Sequence, residues 1–179
     1  MTESEYKAFV EQACSGGLMI GIDRAVARKF YTDIPLSKIE EETGEAPYFE
    51  KIVVWFAFLS APVILLASFV LSVFAFRWWA ALAIPVSIVI YFIFSGQSSM
   101  PRGGMLGISV LLAIAIGSLF IDFITSSVAP WYFITFVFSL WASRLVYFAA
   151  TAFLRAFVLR NQRAFEFMGE NIHIREVQH

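Results

Sequence analysis

From Ile52 to Leu159 the chain is almost continuously apolar, with only short polar breaks. No other feature constrains the fold as tightly. A hydrocarbon slab about 30 Å thick takes about 20 apolar residues per helical crossing. Inside it every backbone polar group must be bonded within the segment, so helices are the natural spanning element. The pattern therefore predicts an all-α fold, a polytopic four-helix transmembrane bundle. Its spans fall at about 52–76, 79–95, 105–124 and 131–159. A small helical head, 1–51, precedes the bundle, and a short tail, 160–179, follows it.

Composition agrees. Hydrophobic residues make up 59% of the chain, against about 45–50% in soluble domains. The net charge of −1 leaves no basic field for nucleic acid. The single cysteine, Cys14, allows neither an intrachain disulfide nor a cysteine-based metal cluster. The polar first fifty residues contain no apolar signal region, so the first span is expected to serve as its own insertion signal.

Lysine and arginine set the expected topology. The head carries six, the tail three, and the 96–104 loop one, Arg102; the other two turns share Arg77 alone. The positive-inside rule then puts both termini and the 96–104 loop in the cytoplasm, with the bundle in the inner (plasma) membrane.

Within the head, Ser4–Cys14 reads as a helix with Tyr6, Phe9, Val10 and Ala13 on one face. Leu18–Phe30 reads as a second, with Ile22, Val26 and Phe30 at i, i+4 and i+8. Ser37 and Glu40 have capping-box spacing, and Gly44 supplies a stop, giving a short helix at 38–43. The stretch Pro35–Gly44 resembles the first helix and turn of a DNA-binding helix-turn-helix. Glu40 stands where that motif buries a small residue, and the head is acidic, so DNA binding is set aside.

Each span carries a polar stripe. The residues are Ser68 and Ser72; Ser87, Tyr91 and Ser95; Ser118 and Asp122; and Arg144, Tyr147, Thr151 and Arg155. Hydroxyls and charges prefer protein to lipid, so the stripes are expected to face inward. Gly103 and Gly107, then Ala113 and Gly117, with Ala152 and Ala156 on the last span, suggest close packing of spans three and four.

Arg144 lies about 20 Å below the start of the fourth span, which places it near the bilayer midplane. An unpaired arginine there costs at least about 2.5–3.5 kcal/mol. Asp122 is the one acidic residue inside a span and the expected partner, although its height differs by about 13 Å. Arg144, Asp122, Tyr147, Thr151 and Ser118 thus form either a polar clasp or the lining of a pathway.

Catalysis and metal binding find no support. There is no HExxH, phosphate loop or GxSxG, and both histidines, His173 and His179, sit in the tail. No cofactor is implied. Arg155, Arg160 and Arg163 form a basic collar suited to lipid headgroups, joined by Arg102. Phe9 and Phe30 in the head, with Phe165, Phe167, Ile172 and Ile174 in the tail, are the candidate partner-docking surface. The alternation at Ile172 and Ile174 suits a strand that adds to a partner or folds back on the head.

The expected function is that of a non-catalytic membrane subunit. It would anchor, scaffold or sense for a larger assembly, such as a secretion, respiratory or phage-defence complex. The lipid bilayer, further copies of the chain, and a cytoplasmic or membrane protein are the expected partners. The second reading is a homo-oligomeric ion channel or small-solute transporter with a pathway along Arg144. A lipid-acting enzyme is the third.

Overall fold

The computed structural model describes residues 2–96, 103–120 and 128–176, with backbone alone at 95–96, 103–105 and 175–176. It is mostly helical, in the order α1 (Glu3–Cys14), β1 (Leu18–Ile22), α2 (Arg24–Thr32), α3 (Leu36–Thr43), α4 (Tyr48–Phe76), α5 (Ala80–Gly96), α6 (Gly103–Gly117), α7 (Ala129–Arg160), α8 (Gln162–Met168) and β2 (Ile172–Glu176). A 3-10 turn, Arg77–Trp79, joins α4 to α5, and another, Ser118–Phe120, follows α6. The chain divides into two compact units, Met1–Trp55 with Tyr147–His179, and Phe56–Val146.

The first unit combines head and tail with the beginning of α4 and the end of α7. Helix α1 starts at Thr2, whose side chain accepts from the Glu5 amide while Glu5 reaches back to the Thr2 amide. This is where a capping box forms. Helix α3 begins instead at Leu36 behind Pro35, with no side-chain cap, so the Ser37–Glu40 expectation fails. Its end is as expected: Gly44 adopts φ 75°, a left-handed geometry that costs glycine no steric strain.

The second expected head helix is also corrected. Leu18–Ile22 is a strand, and helix begins only at Arg24, where the Asp23 carboxylate accepts from the Ala25 and Val26 amides. The strand exists because the tail supplies its partner. β1 pairs antiparallel with β2, setting Ile20 opposite Ile174 and Ile22 opposite Ile172. The tail thus folds back on the head. Tyr6, Phe9, Ile20, Ile22, Phe30, Tyr31, Ile39, Leu154, Phe157 and Met168 are all buried. The fold is therefore helical with a small two-stranded sheet.

The second unit is built the other way round. Four helices contribute to one apolar cluster: Leu65 from α4, Ile108 from α6, Phe136 and Leu140 from α7, with Ile90, Tyr91 and Phe94 of α5 against it. Ser68, Ser72, Ser87, Ser139 and Ser143 are buried too. Large apolar side chains point outward, among them Phe56 at 76% exposure, Phe92 at 68% and Phe120 at 85%.

Two helical stretches, Tyr48–Phe94 and Ala129–Arg160, are long and apolar enough to cross a membrane, while Leu106–Phe120 is a shorter apolar helix. Of the expected third span, 105–124, the structure describes α6 and the 3-10 turn after Gly117, and residues 121–124 lie outside the described residues. Its expected small-residue packing is not seen. Gly107 and Ala113 are exposed, and a Cβ added at Gly107 or Gly117 would meet nothing within 4 Å. Ile108 and Ala115 form the buried face instead. Ala152 and Ala156 are exposed residues of the first unit.

Candidate functional site

In the second unit the notable side chain is Arg144, 8% exposed on α7. Its Nη2 donates to the main-chain carbonyl of Phe94. Phe94 lies in the last described turn of α5. A main-chain carbonyl thus supplies an acceptor for the buried guanidinium. Asp122, the expected partner, lies outside the described residues, as does Arg102.

The hydroxyls of this unit turn back on their own helices. Ser68 donates to Leu65 O at 2.7 Å, Ser72 to Phe69 O at 2.7 Å, Ser139 to Phe136 O at 2.7 Å and Ser143 to Leu140 O at 2.7 Å. Ser118, half-buried, donates to Ala115 O at 2.6 Å. A hydroxyl pair links different helices: Ser87 on α5 and Tyr132 on α7, with oxygens 2.6 Å apart. Ser87 also donates to Ala83 O at 2.7 Å, so Tyr132 is the donor between them.

Tyr147 and Thr151 belong to the first unit. Thr151 donates to Tyr147 O at 2.7 Å. The Tyr147 hydroxyl accepts from Arg28 Nη1 at 3.1 Å, and the Arg28 guanidinium lies 5.3 Å from the Tyr147 ring centre. This contact has no signature in the chain's pattern, because a helix read from Leu18 presents Ile22, Val26 and Phe30 and turns Arg28 elsewhere.

Further along α7, Arg160 is held by two carboxylates, Glu45 at 2.9 Å and Glu50 at 3.1 Å, and covers the Phe157 ring at 5.4 Å. Asn161 then caps α8 and donates to Thr43 O at 3.1 Å. Thr43, Gly44, Arg160, Asn161, Gln162, Arg163 and Glu166 border an open polar hollow of about 590 Å³. Two arginines against one glutamate line it, and Arg160 is itself paired outside the lining with Glu45 and Glu50. The Tyr31 hydroxyl is buried without a hydrogen-bond partner among the described residues. Burial raises its pKa well above the ordinary value, Glu50 adds to the rise and Arg160 opposes it. The Lys51 ammonium donates to Ile34 O.

Arg160 of the expected basic collar is thus engaged within its unit, Arg155 is half-buried and Arg163 is exposed. The expected docking rings meet one another. Phe165 lies 4.9 Å from Phe9 and 6.0 Å from Tyr6, and Phe167 lies 6.4 Å from Phe30. Phe9 and Phe30 are buried, and Ile172 is half-buried; Ile174 alone of the six is fully on the surface, at 49% exposure. Among the described residues no group of three or more histidines, cysteines or carboxylates could hold a metal. No protein-family model matches the chain, and no curated protein or solved structure matches it.

Proposed function

We propose that the chain is a non-catalytic membrane anchor that presents a folded cytoplasmic body to a larger assembly. In this reading α4, α5, α6 and α7 cross the inner membrane, both termini are cytoplasmic, and the protein works as a homo-oligomer beside a protein partner. The observation that carries the reading is the opposite construction of the two units. The unit 56–146 buries serines and exposes Phe56, Val63, Leu66 and Phe92. Water-exposed apolar patches rarely exceed a few hundred Å² on a soluble monomer, whereas lipid accepts such a surface. The other unit buries aromatic rings and carries its charges outside, as in water.

Arg144 favours an anchor over a channel. Its guanidinium meets a main-chain carbonyl, and the neighbouring serines are bonded along their own helices. A conduction path needs polar groups left free to replace a hydration shell. On the cytoplasmic body, Met19 at 53% exposure and Ile174 at 49% are the apolar side chains the small sheet offers a partner.

The test pairs two variants in mild detergent and in proteoliposomes. Ile174→Glu should remove a co-purifying protein and leave the chain folded. Arg144→Leu should alter stability without abolishing any ion or solute flux. A flux through wild-type protein that Arg144→Leu eliminates while assembly stays intact would replace the anchor with a channel.

A further inference from the structure

The sheet of the first unit has two strands, so each strand keeps one edge without a neighbour. The two edges differ in chemistry. β2 reads Ile-His-Ile-Arg-Glu, and charges at two of its five positions are a common guard against strand addition. β1 reads Leu-Met-Ile-Gly-Ile, with no charge and no proline, and its register against β2 runs without a bulge. Apart from that ladder, Leu18–Ile22 make no hydrogen bond among the described residues. The backbone groups on the far side of β1 are therefore a template for a further strand.

The order of residues in β1 indicates which strand. An antiparallel copy centred on Ile20 sets Ile20 opposite the partner's Ile20, Leu18 opposite the partner's Ile22 and Met19 opposite the partner's Gly21. Met19 is 53% exposed, and Gly21 has no side chain, so each thioether chain has room to lie across the facing glycine. One step outward, Asp23, the cap of α2, comes opposite the partner's Gly17, again a residue with no side chain to collide. On the other face Ile20 and Ile22 are buried, and with Leu18 they continue an apolar surface from one copy into the next. The same operation on β2 pairs His173 with the partner's Arg175 and Ile172 with the partner's Glu176, which match in neither charge nor polarity. β1 is thus self-complementary where β2 is not.

We propose that β1 is the contact between two copies of this chain, joined antiparallel about Ile20 into a four-stranded sheet in the order β2–β1–β1–β2. The interface is isologous, the same edge serving both copies, so it closes at two. The proposal rests on the homo-oligomer reading above and names its surface.

The experiment uses the full chain with Cys14→Ser, in mild detergent and in proteoliposomes, its mass read by native mass spectrometry. Two single-cysteine variants, Met19→Cys and Ile174→Cys, are treated with a short bis-maleimide. Across the proposed pair the two position-19 side chains are diagonal neighbours about 7–8 Å apart, whereas the two copies of position 174 are separated by three strand spacings, about 14 Å. Met19→Cys should therefore cross-link to a dimer and Ile174→Cys should not. Met19→Lys, a charge at an exposed edge side chain, should raise the dimer dissociation constant about five- to tenfold, since two cross-strand contacts are lost per dimer. Should Met19→Lys fail to fold, the cross-linking pair carries the test alone. Efficient cross-linking of Ile174→Cys, or equal dissociation constants for wild type and Met19→Lys, overturns the proposal and leaves the copies joined elsewhere. Loss of a co-purifying protein from Met19→Lys with the dimer unchanged overturns it in favour of a different protein on β1. A chain that stays monomeric at every concentration overturns it together with the homo-oligomer reading.

Discussion

The guanidinium of Arg144 donates to the main-chain carbonyl of Phe94, in the last described turn of α5. A main-chain acceptor on α5 thus meets a buried charge on α7, and the bond ties the two helices together. Arg144→Leu should cost about 1–3 kcal/mol, since the carbonyl loses a charged donor. Arg144→Lys should retain part of that. Thermal melting in detergent reads the difference. Identical melting of wild type and Arg144→Leu would remove the clasp.

Tyr132 and Ser87 provide the described inter-helix hydroxyl bond in the same unit. Tyr132→Phe removes the donor and leaves Ser87 bonded to Ala83 O. The expected cost is about 0.6 kcal/mol, typical of such bonds in membrane helices. A double-mutant cycle with Ser87→Ala measures the coupling, which should vanish if the geometry is otherwise.

Tyr31 gives a pH dependence. Its folded pKa is raised from 10.0, chiefly by burial, then by Glu50. Folded protein therefore holds a proton that unfolded protein has released, and stability falls as pH rises above about 10. The comparison with Tyr31→Phe isolates the tyrosine. That variant should match wild type to within about 1 kcal/mol at pH 8, because the hydroxyl lacks a partner among the described residues. It should unfold less readily than wild type between pH 10 and 11, as read by denaturant midpoints. Parallel midpoints across that range would refute the assignment.

Phe165 joins α8 to α1 through Phe9 and Tyr6. Phe165→Ala should destabilise the unit of head and tail by about 2 kcal/mol, less than a fully buried ring because Phe165 is half-exposed. Limited proteolysis should then cut first within α1, far from the substitution in sequence. Unchanged cleavage kinetics would mean that α8 does not support α1.

The parts legible in sequence were those set by local pattern. The apolar runs, the Gly44 stop and the inward serines at Ser68, Ser72 and Ser87 follow from periodicity and backbone sterics. The strand Leu18–Ile22 was missed because its apolar run merges with the face of α2, and its partner lies some 150 residues away. The alternation at Ile172 and Ile174 was visible, but the sequence left open whether it pairs within the chain. The Phe94 carbonyl as an acceptor for Arg144 was missed for another reason. A search for charge pairs looks for carboxylates, whereas any residue can offer a carbonyl.

The pairing of β1 with β2 also sets a timetable. A ribosome makes β1 and α2 well before β2, with about 140 residues between α2 and β2. At about 5–20 residues per second that interval is roughly 7–28 s. Throughout it, Phe9, Ile20 and Phe30 wait without their cover while the apolar helices are made. Nascent chains should therefore engage chaperones through their first thirty residues and let go only after residue 176 has emerged, and a message cut short before β2 should yield a product marked for proteolysis.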